Sequence, residues 1–320
     1  MRICAGRVWL YSSRMAARKI VIDTDCGVDD AIAIMIALAS PAEVSVLGIT
    51  TVSGNVALDN VVDNVLRLLG FLGRPEIPVF RGASRPLVEP VHYAPDVHGA
   101  NGLGGVELSP ARVTEQRERA PEGLARLARE NPGLTLLTLG PLTNVAIALT
   151  LYPDLKDLVA EIVAMGGAVE TGNVTRFAEF NFHADPEAAH SVLEAGIPLS
   201  LLTWDATLKV PHSEAELESL GMRSTASGRL VLDLQQGVLR FMEKARGVRA
   251  TLLPDPLVAA WLVDPGIAGR LLPTGLRMEL GQNAMRGASV TQRGSGVRLI
   301  LDIDKSRFDQ ILSRVIELKQ

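Results

Sequence analysis

An acidic octapeptide is the segment of this sequence most able to do chemistry. Residues 23–30 read DTDCGVDD and place four carboxylates between an apolar strand-like run and an apolar helix-like run. Strand periodicity puts the first two aspartates on one side, and Gly27 allows a sharp turn before the last two. Because packing these charges together is unfavourable unless a cation offsets them, the octapeptide predicts a metal site. An all-oxygen ligand set favours a hard cation, Ca²⁺ or Mg²⁺, over zinc.

Helix capping is the competing interpretation of the same residues. Asp29 could be an N-cap, and Asp30 would be favoured in the first helical turn by the helix dipole. Capping accounts for one or two of the four carboxylates, so the metal interpretation explains more. The loop is not an EF-hand, which needs Gly at its sixth position and Glu at its twelfth, where this sequence has Val28 and Ile34.

The segments around the octapeptide alternate between strand-like and helix-like patterns. Apolar runs without polar alternation predict strands at residues 19–23, 44–52, 77–80, 134–138, 161–165 and 199–202. Apolar residues at helical spacing or in longer runs predict helices at 29–39, 58–71, 121–130, 142–151, 186–193 and 227–245. A hairpin-like pair of strands is predicted within 276–303, followed by a helix at 305–318.

This alternation predicts the fold class. Strands that alternate with helices of this length imply a single α/β domain, residues 19–320, with a largely parallel (mixed) Rossmann-like sheet and helices on both faces. In such sheets ligands bind at the carboxyl ends of the strands, and the acidic octapeptide lies at one of them.

Composition narrows the class of protein and its partners. The chain has 320 residues, of which 47% are hydrophobic and 21% charged, as is usual for globular enzymes. A net charge of −4 predicts no nucleic-acid partner, because phosphate neutralisation needs clustered Lys and Arg. No apolar run reaches the ~20 residues of a membrane span. Two cysteines exclude a disulfide framework and favour a reducing compartment.

Residues 1–18 differ from the rest of the chain. They carry four arginines and no acidic residue. This composition fits either a mitochondrial targeting peptide or an extension upstream of a working start at Met15. We therefore treat 1–18 as an N-terminal extension, and expect a cytoplasmic protein, or a mitochondrial one if the segment targets it there.

Several motifs in a fixed order resemble the inosine-uridine nucleoside hydrolase family. DTDCGVDDA is similar to the N-terminal fingerprint of that family. It is followed by TTVSGN (50–55), GPLTNVA (140–146), MGG and GN within 165–173, AEFNFHADPEAA (178–189) and the dipeptide Asp255-Pro256. The similarity runs from about Lys19 to the C-terminus. It implies the nucleoside hydrolase fold, and hydrolysis of the N-glycosidic bond of ribonucleosides to ribose and free nucleobase in nucleoside catabolism and salvage.

The resemblance also implies a calcium site. Its ligands would be Asp25, Asp30, the backbone carbonyl of Leu139 and Asp255, with Asp23 as a supporting acid. Asp25 would also be the general base that activates the water attacking C1′. Ca²⁺ accepts roughly 6–8 oxygens, which leaves room for that water and the 2′- and 3′-hydroxyls of ribose. From the residues alone, the aspartate of the Asp-Pro dipeptide is equally an N-cap followed by proline at N1.

Ribose recognition is assigned by the same resemblance. Asp29 and Asn55 would hold the 2′- and 3′-hydroxyl side, while Asn173, Glu179 and Asn181 would hold the 5′- and 3′-hydroxyls. Carboxylates and amides suit this task because they exchange hydrogen bonds with hydroxyls. Asn55 and Asn173 each follow a glycine, so they could also be turn residues.

The group that protonates the departing base differs from the family pattern. Well-studied members often place a histidine before the last metal-binding aspartate, where this chain has Pro254. His98, in the glycine-rich stretch HGANGLGG, is the predicted catalytic substitute, and Arg246 or Arg249 could also approach the base.

Other interpretations stay open at this point. Trp204 and Trp261 could stack on a purine, although isolated tryptophans more often belong to the core. Phosphatases of the haloacid dehalogenase type also open with Asp-x-Asp after a strand, but lack the rest of the octapeptide. The proline at position 254 is compatible with a non-catalytic calcium- and ribose-binding homologue, and a hydrolase of a related N-ribosyl compound would keep the same site. By resemblance we expect a homodimer or homotetramer with a small ribonucleoside substrate.

Overall fold

In the computed structural model, which describes residues 16–111 and 113–318, the strands form one eight-stranded sheet. The strands are β1 Arg18–Thr24, β2 Val44–Thr51, β3 Val79–Arg81, β4 Leu134–Thr138, β5 Val159–Met165, β6 Leu199–Leu202, β7 Ala268–Met278 and β8 Ser289–Ile303. Their order across the sheet is β3-β2-β1-β4-β5-β6-β8-β7, and only β7 runs antiparallel to its neighbour. The predicted largely parallel, mixed sheet is confirmed.

Helices cover both faces of this sheet. They are α1 Val28–Leu38, α2 Leu58–Phe71, α3 Pro95–His98, α4 Ala120–Glu130, α5 Thr143–Leu151, α6 Leu155–Leu158, α7 Phe180–Ala184, α8 Pro186–Glu194, α9 Trp204–Thr207, α10 Glu214–Ser219, α11 Ala226–Arg246, α12 Pro254–Val263 and α13 Lys305–Leu312. One buried apolar cluster joins the sheet to α1, α2, α11, α12 and α13, and a second joins its other face to α4, α5 and α8. The two layers share one sheet, so this is the single α/β domain that the sequence predicts.

Several element boundaries differ from the prediction. Strand β3 begins at Val79, and the first strand of the hairpin begins at Ala268, well before residue 276. The first half of β7 is mostly exposed, so it lacks the apolar pattern that marks the interior strands. The final helix ends at Leu312 and continues as a 3₁₀ segment, Ser313–Glu317.

Helix α12 was anticipated only through the alternative that Asp255 is an N-cap, and no helical periodicity predicted its extent. From Asp255 to Val263 every residue is buried, so its apolar residues surround the axis and show no helical periodicity. This omission matters because α12 carries one of the predicted metal ligands.

Two further expectations concern the N-terminal extension and membrane-spanning helices. Most of the predicted N-terminal extension, residues 1–15 including the predicted start at Met15, lies outside the described residues, and β1 begins at Arg18. Within the described part of the chain, the helices are too short or too polar to cross a bilayer.

The register of the parallel strands sets the position of the site. Asp23 near the end of β1 pairs with Thr50 of β2 and Thr138 of β4, and Thr138 pairs with Ala164 of β5. Because these strands run in one direction, the segments that follow them meet at one edge of the sheet. Those segments contain the acidic octapeptide and most of the other family-like motifs.

Candidate active site

Three carboxylates from two helices meet at the carboxyl edge of the sheet. Asp29 and Asp30 lie in the first turn of α1, and Asp255 lies in the first turn of α12. One oxygen of each lies within 4.8 Å of the others, and all three side chains are buried. The tertiary structure thus brings Asp255 to the opening loop, as the metal interpretation requires.

The capping interpretation holds for Asp30 but not for Asp29 or Asp255. The N-cap of α1 is Gly27 rather than Asp29, and the N-cap of α12 is Leu253, with Pro254 at the first helical position. Asp30 does accept a hydrogen bond from the backbone N–H of Gly27 at 2.8 Å, as in a capping box. The carboxylates of Asp29 and Asp255 are therefore not used as N-caps.

Asp25 lies beside this cluster with one of its oxygens fixed. Its Oδ2 accepts the backbone N–H of Asn55 at 2.7 Å, while its buried Oδ1 has no hydrogen-bond partner among the described residues. Burial and the neighbouring charge of Asp30 raise the pKa of Asp25 well above its usual range. Asp25 does not belong to the group of acids whose oxygens all lie within 4.8 Å of one another, although the sequence analysis placed it among the ligands.

Two glycines leave the space that Asp25 occupies. A Cβ atom at Gly54 would overlap Oδ2 of Asp25, and one at Gly140 would lie 2.7 Å from its Oδ1. These glycines follow β2 and β4 and belong to TTVSGN and GPLTNVA, yet the sequence alone gave them no role. Their part is to let two backbone segments close around one carboxylate.

Gly27 has a different role from the one predicted. Its φ is −82°, whereas the positive φ in this loop falls on Cys26, at 29°. A Cβ at Gly27 would overlap the ring of His98 and lie 2.7 Å from Nδ2 of Asn55. Glycine is therefore required here for close approach of two side chains rather than for a left-handed turn.

Polar neighbours hold the remaining acids of the octapeptide. Thr24 Oγ1 donates to Asp30 Oδ1 at 2.6 Å, and Asn55 Nδ2 donates to Asp30 Oδ2 at 3.1 Å. Asp23 Oδ1 accepts hydrogen bonds from Thr50 Oγ1 at 2.6 Å and Asn144 Nδ2 at 2.7 Å. Burial raises the pKa of Asp23 to about 7. Sequence analysis assigned no role to Thr24, Thr50 or Asn144, although each lies within one of the quoted motifs.

The donor set fits a hard divalent cation. Oδ1 of Asp25 and Oδ1 of Asp29 are buried and accept no hydrogen bond from the described residues. Burial and the nearby charge of Asp30 raise the pKa of Asp29 to about 7, and burial with its acidic neighbours raises that of Asp255. Buried, crowded carboxylate oxygens without protein donors are what a bound cation would stabilise.

The carbonyl of Leu139 borders the same space. Leu139 follows β4 and accepts a hydrogen bond from Asn181 Nδ2 at 2.7 Å. Asn181 Nδ2 also lies 3.2 Å from the carbonyl of Met165. A carbonyl oxygen has two lone pairs, so the carbonyl of Leu139 keeps the capacity to coordinate a metal.

All five residues predicted to bind ribose line one cavity of about 400 Å³, a size that suits a nucleoside-sized ligand. They are Asp29, Asn55, Asn173, Glu179 and Asn181. Two of them also have local structural roles. Glu179 accepts the N–H groups of Asn181 and Phe182 in α7 and that of Gly167 after β5. Asn173 Oδ1 accepts the N–H of Phe180 at 2.8 Å. Burial raises the pKa of Glu179 to about 7.

His98 lies at the edge of this cavity in a defined orientation. Its Nδ1 accepts the backbone N–H of Val28 at 3.2 Å and lies 3.7 Å from Oδ1 of Asp29. A neutral ring that accepts at Nδ1 carries its proton on Nε2. Burial lowers the pKa of His98 to about 4, so near neutral pH the ring is uncharged and acts as a hydrogen-bond donor through Nε2.

The rest of the cavity is mostly apolar, and of its residues the sequence analysis had proposed Trp204 and Arg246 as contacts of the base. One face of α11 forms a wall with the side chains of Val238, Phe241, Met242, Ala245 and Arg246. Trp204 and Pro254 also line the cavity, whereas Trp261 is a core residue with Arg298 over its ring at 5.2 Å. Arg249 forms ion pairs with Glu214 and Glu243 away from the cavity.

The sheet is covered on both faces, and crowded buried acids lie at its carboxyl edge beside a nucleoside-sized cavity. These features define an α/β enzyme whose site can combine a cation with a small polar substrate. The chain belongs to the inosine-uridine preferring nucleoside hydrolase family, whose sequence profile matches residues 20–310.

Individual relatives support this assignment. The chain is 36% identical over 304 residues to the pyrimidine-specific ribonucleoside hydrolase RihA of Salmonella schwarzengrund (strain CVM19633), covering 93% of this chain and 97% of that protein. Its structure is similar to the purine-preferring ribonucleoside hydrolase from Gardnerella vaginalis, with a TM-score of 0.88, 30% identity and coverage of 94% and 99% of the two chains. A plant nucleoside hydrolase gives a TM-score of 0.87 at 30% identity, with coverage of 93% and 99%.

These findings confirm the predicted family, the fold and the enzyme class, a nucleoside hydrolase, and they exclude the phosphatase alternative. The named relatives differ in the bases they prefer, so base preference varies on this fold.

Proposed function

We propose that the protein uses Ca²⁺ to hydrolyse the N-glycosidic bond of ribonucleosides, giving ribose and a free nucleobase. The observation that supports this most strongly is the buried, partner-free carboxylate oxygens of Asp25 and Asp29 beside Asp30 and Asp255. Asp29 and Asp255 line a cavity whose other polar residues include three amides, the carboxylate of Glu179, His98 and Arg246. Such a site can bind a cation and a polyhydroxylated sugar together.

Asp25, Asp30, Asp255 and the carbonyl of Leu139 would hold the ion. All four supply oxygen, the ligand type that Ca²⁺ takes with flexible geometry. Asp29 also lies within 4.8 Å of two of these acids, so it is placed to reach both the ion and the 2′- and 3′-hydroxyls assigned to it and Asn55. When bound, the ion would supply positive charge that keeps these acids ionised and favours ribose hydroxyls as additional ligands.

Asp25 would act as the general base. Its Oδ2 is fixed by the N–H of Asn55, and its Oδ1 is free to accept a proton from a water molecule. The oxygen of that water bonds to C1′, the bond from C1′ to the base nitrogen breaks, and its electron pair leaves with the base. The transition state resembles an oxocarbenium ion, so buried carboxylates near the ribose stabilise its developing positive charge.

The departing base would be stabilised by hydrogen bonds rather than by a charged acid. His98 offers an N–H at Nε2 because its Nδ1 is occupied by the N–H of Val28. Pro254 lines the cavity but has no proton to give. We therefore assign His98 as the donor to the leaving base.

Ribose orientation would come from Asn181, Glu179 and Asn173. The amide of Asn181 is fixed by two backbone carbonyls, so its remaining oxygen has a defined direction for a hydroxyl donor. Glu179 is likewise held by backbone N–H groups. Fixed acceptors of this kind reduce the entropy lost when the sugar binds.

The test is release of free base from inosine, uridine and cytidine, measured with Ca²⁺ and again after chelation. We expect turnover that chelation abolishes and added Ca²⁺ restores. Asp25→Asn should reduce kcat by about 10³-fold, within the range of general-base catalysis. Asp154→Asn, which removes an exposed acid paired with Arg129, is the matched control and should retain wild-type rates.

Two results would count against the proposal. Undiminished turnover after chelation would remove the role of the metal. Nucleoside binding without base release by the wild-type protein would instead indicate the non-catalytic homologue.

By likeness to the family we also expect a homodimer or homotetramer that acts in cytoplasmic nucleoside catabolism and salvage. Light scattering of the purified protein measures its oligomeric state. The predicted extension, residues 1–18, would direct the protein to mitochondria if it is a targeting peptide.

A further inference from the structure

The cavity is electrically asymmetric along helix α11. A Cβ at Gly104 would lie 3.2 Å from the carbonyl of Leu234 and 3.4 Å from Val28, so the acidic start of α1 lies close to the Leu234 turn of α11. The lining face of α11 then runs from buried Val238 to exposed Arg246. Eight residues at the helical rise of about 1.5 Å separate these two positions by about 12 Å. The acids therefore occupy one end of the cavity and a guanidinium the other.

The guanidinium of Arg246 is not neutralised by the protein. Within residues 16–111 and 113–318 it has no hydrogen bond or ion pair. Its nearest acidic neighbour along the helix, Glu243, pairs instead with Arg249, which also binds Glu214. Arg246 thus differs from most of the arginines that the structure describes, whose side chains pair with carboxylates.

Two more cations extend the positive end. Arg240 and Lys244, one turn apart on α11, line a second cavity of about 560 Å³ that shares Val97, Phe241 and Ala245 with the first. Asp96 is the one acidic side chain on this second lining. The negative end of the helix dipole amounts to about half a charge, so it offsets only part of these cations.

We propose that Arg246 selects nucleosides whose base is anionic or readily ionised, a preference that rests on the proposed nucleoside hydrolysis. With the ribose held at the acidic end, the base extends toward the apolar wall and Arg246. A guanidinium only donates hydrogen bonds, so it favours carbonyl or ionised ring atoms over exocyclic amino groups. The indole N–H of Trp204, which lines the same cavity, also only donates and has no acceptor among the described residues.

The same contact would assist the reaction. When the bond from C1′ to the base nitrogen breaks, its electron pair leaves with the base, whose negative charge increases. A guanidinium in contact with the base would stabilise that negative charge through a charge-assisted hydrogen bond. Arg246 would then lower both KM for acidic bases and the barrier to their departure.

The experiment compares xanthosine, whose base ionises near neutrality, with inosine, which is neutral there. The ratio of their kcat/KM values is measured for the wild type, Arg246→Met, Arg246→Lys and Arg249→Met. We expect Arg246→Met to reduce the xanthosine-to-inosine ratio about tenfold, the usual effect of losing a hydrogen bond to a charged group. Arg246→Lys should retain most of the ratio, and Arg249→Met, which removes a paired arginine outside the cavity, should leave it unchanged.

A second measurement isolates the charge of the base. Lowering the pH until xanthosine is neutral should reduce the ratio more in the wild type than in Arg246→Met, because comparing the two proteins cancels the titration of other groups and the intrinsic change in the leaving base. If Arg246→Met leaves the xanthosine-to-inosine ratio of kcat/KM unchanged, even with lower values for both nucleosides, the proposed role of Arg246 is overturned. The proposed hydrolase activity would be unaffected by that result. Failure of the wild type to cleave any nucleoside would overturn both proposals.

Discussion

The two ends of the cavity are built in opposite ways. At the acidic end, segments that follow β1, β2 and β4 meet the first turn of α12, and the carboxylates are buried. Oxygens there either accept defined hydrogen bonds, as in Asp30, or have no protein partner, as in Asp25 Oδ1. At the other end a single helix, α11, presents one apolar face that becomes exposed toward Arg246.

This difference separates the residues expected to carry out the reaction from those expected to select the nucleobase. A substitution at the acidic end disturbs several atoms at once, because networks of buried hydrogen bonds are coupled. A substitution of an apolar side chain on the α11 face is expected to change the contact area with the base and little else. One relative in sequence is named pyrimidine-specific, and one similar structure is named purine-preferring. This difference is consistent with an acidic end that stays constant and an apolar wall that varies between relatives.

The largest expected effect comes from removing one hydroxyl of the substrate. With Asp29, Asn55 and the ion assigned to the 2′- and 3′-hydroxyls, a 2′-deoxynucleoside leaves buried polar groups without partners. We expect kcat/KM for 2′-deoxyadenosine to fall on the order of 10⁴-fold below that for adenosine. Comparable rates for the two, in a base-release assay, would place the ribose elsewhere.

Gly54→Ala tests the packing around Asp25. The added methyl group would overlap Oδ2 of Asp25 and displace the carboxylate from its hydrogen bond with Asn55. Since a displacement of about 1 Å can cost 10²-fold in rate, we expect kcat to fall by about that factor. Gly296→Ala is the control, because a Cβ there meets no atom within 4 Å. Equal activities of the two variants would show that Asp25 has room to move.

Met242→Ala tests the opposite end and should have a smaller effect. It shortens a side chain of the apolar wall without touching the acids. The loss of a few methylene-sized contacts should raise KM by about tenfold or less, with kcat unchanged, and the size of the change should differ between purine and pyrimidine nucleosides. A fall in kcat similar to that of Gly54→Ala would contradict the division into two ends.

The smallest effect concerns stability as a function of pH. Burial raises the pKa of Asp23 and of Asp29 to about 7. An acid whose pKa is higher in the folded state binds its proton more tightly there. Its contribution to stability is therefore present at low pH and is lost as the pH rises toward 7.

A cation should reverse this loss. Binding at 100 times the dissociation constant stabilises the fold by about 2.7 kcal/mol, which corresponds to roughly 5 °C in Tm. We expect the increase in Tm on adding Ca²⁺ to be near this value at pH 8 and much smaller at pH 5. The measurement is thermal unfolding in chelator and in Ca²⁺ at both pH values, and an increase that is larger at pH 5 would contradict the assigned site.

Much of the fold follows from local pattern. The predicted bounds of α2, β4 and β6 are those of the structure, because α2 has apolar residues at helical spacing and the two strands are short apolar runs. The pattern failed where an element is exposed, as in the first half of β7, or buried on every side, as in α12. Both situations remove the contrast between an apolar and a polar face on which periodicity depends.

The sequence by itself determined the α/β class, the family and the identity of the clustered acids, because strand and helix periodicity and the order of motifs are local properties of the chain. Only the tertiary structure decided which atoms meet: Asp255 with Asp29 and Asp30, Gly54 and Gly140 with Asp25, and α11 with the open side of the cavity. These contacts depend on the register of parallel strands and on helix packing between distant segments. Neither is encoded in the spacing of any one motif.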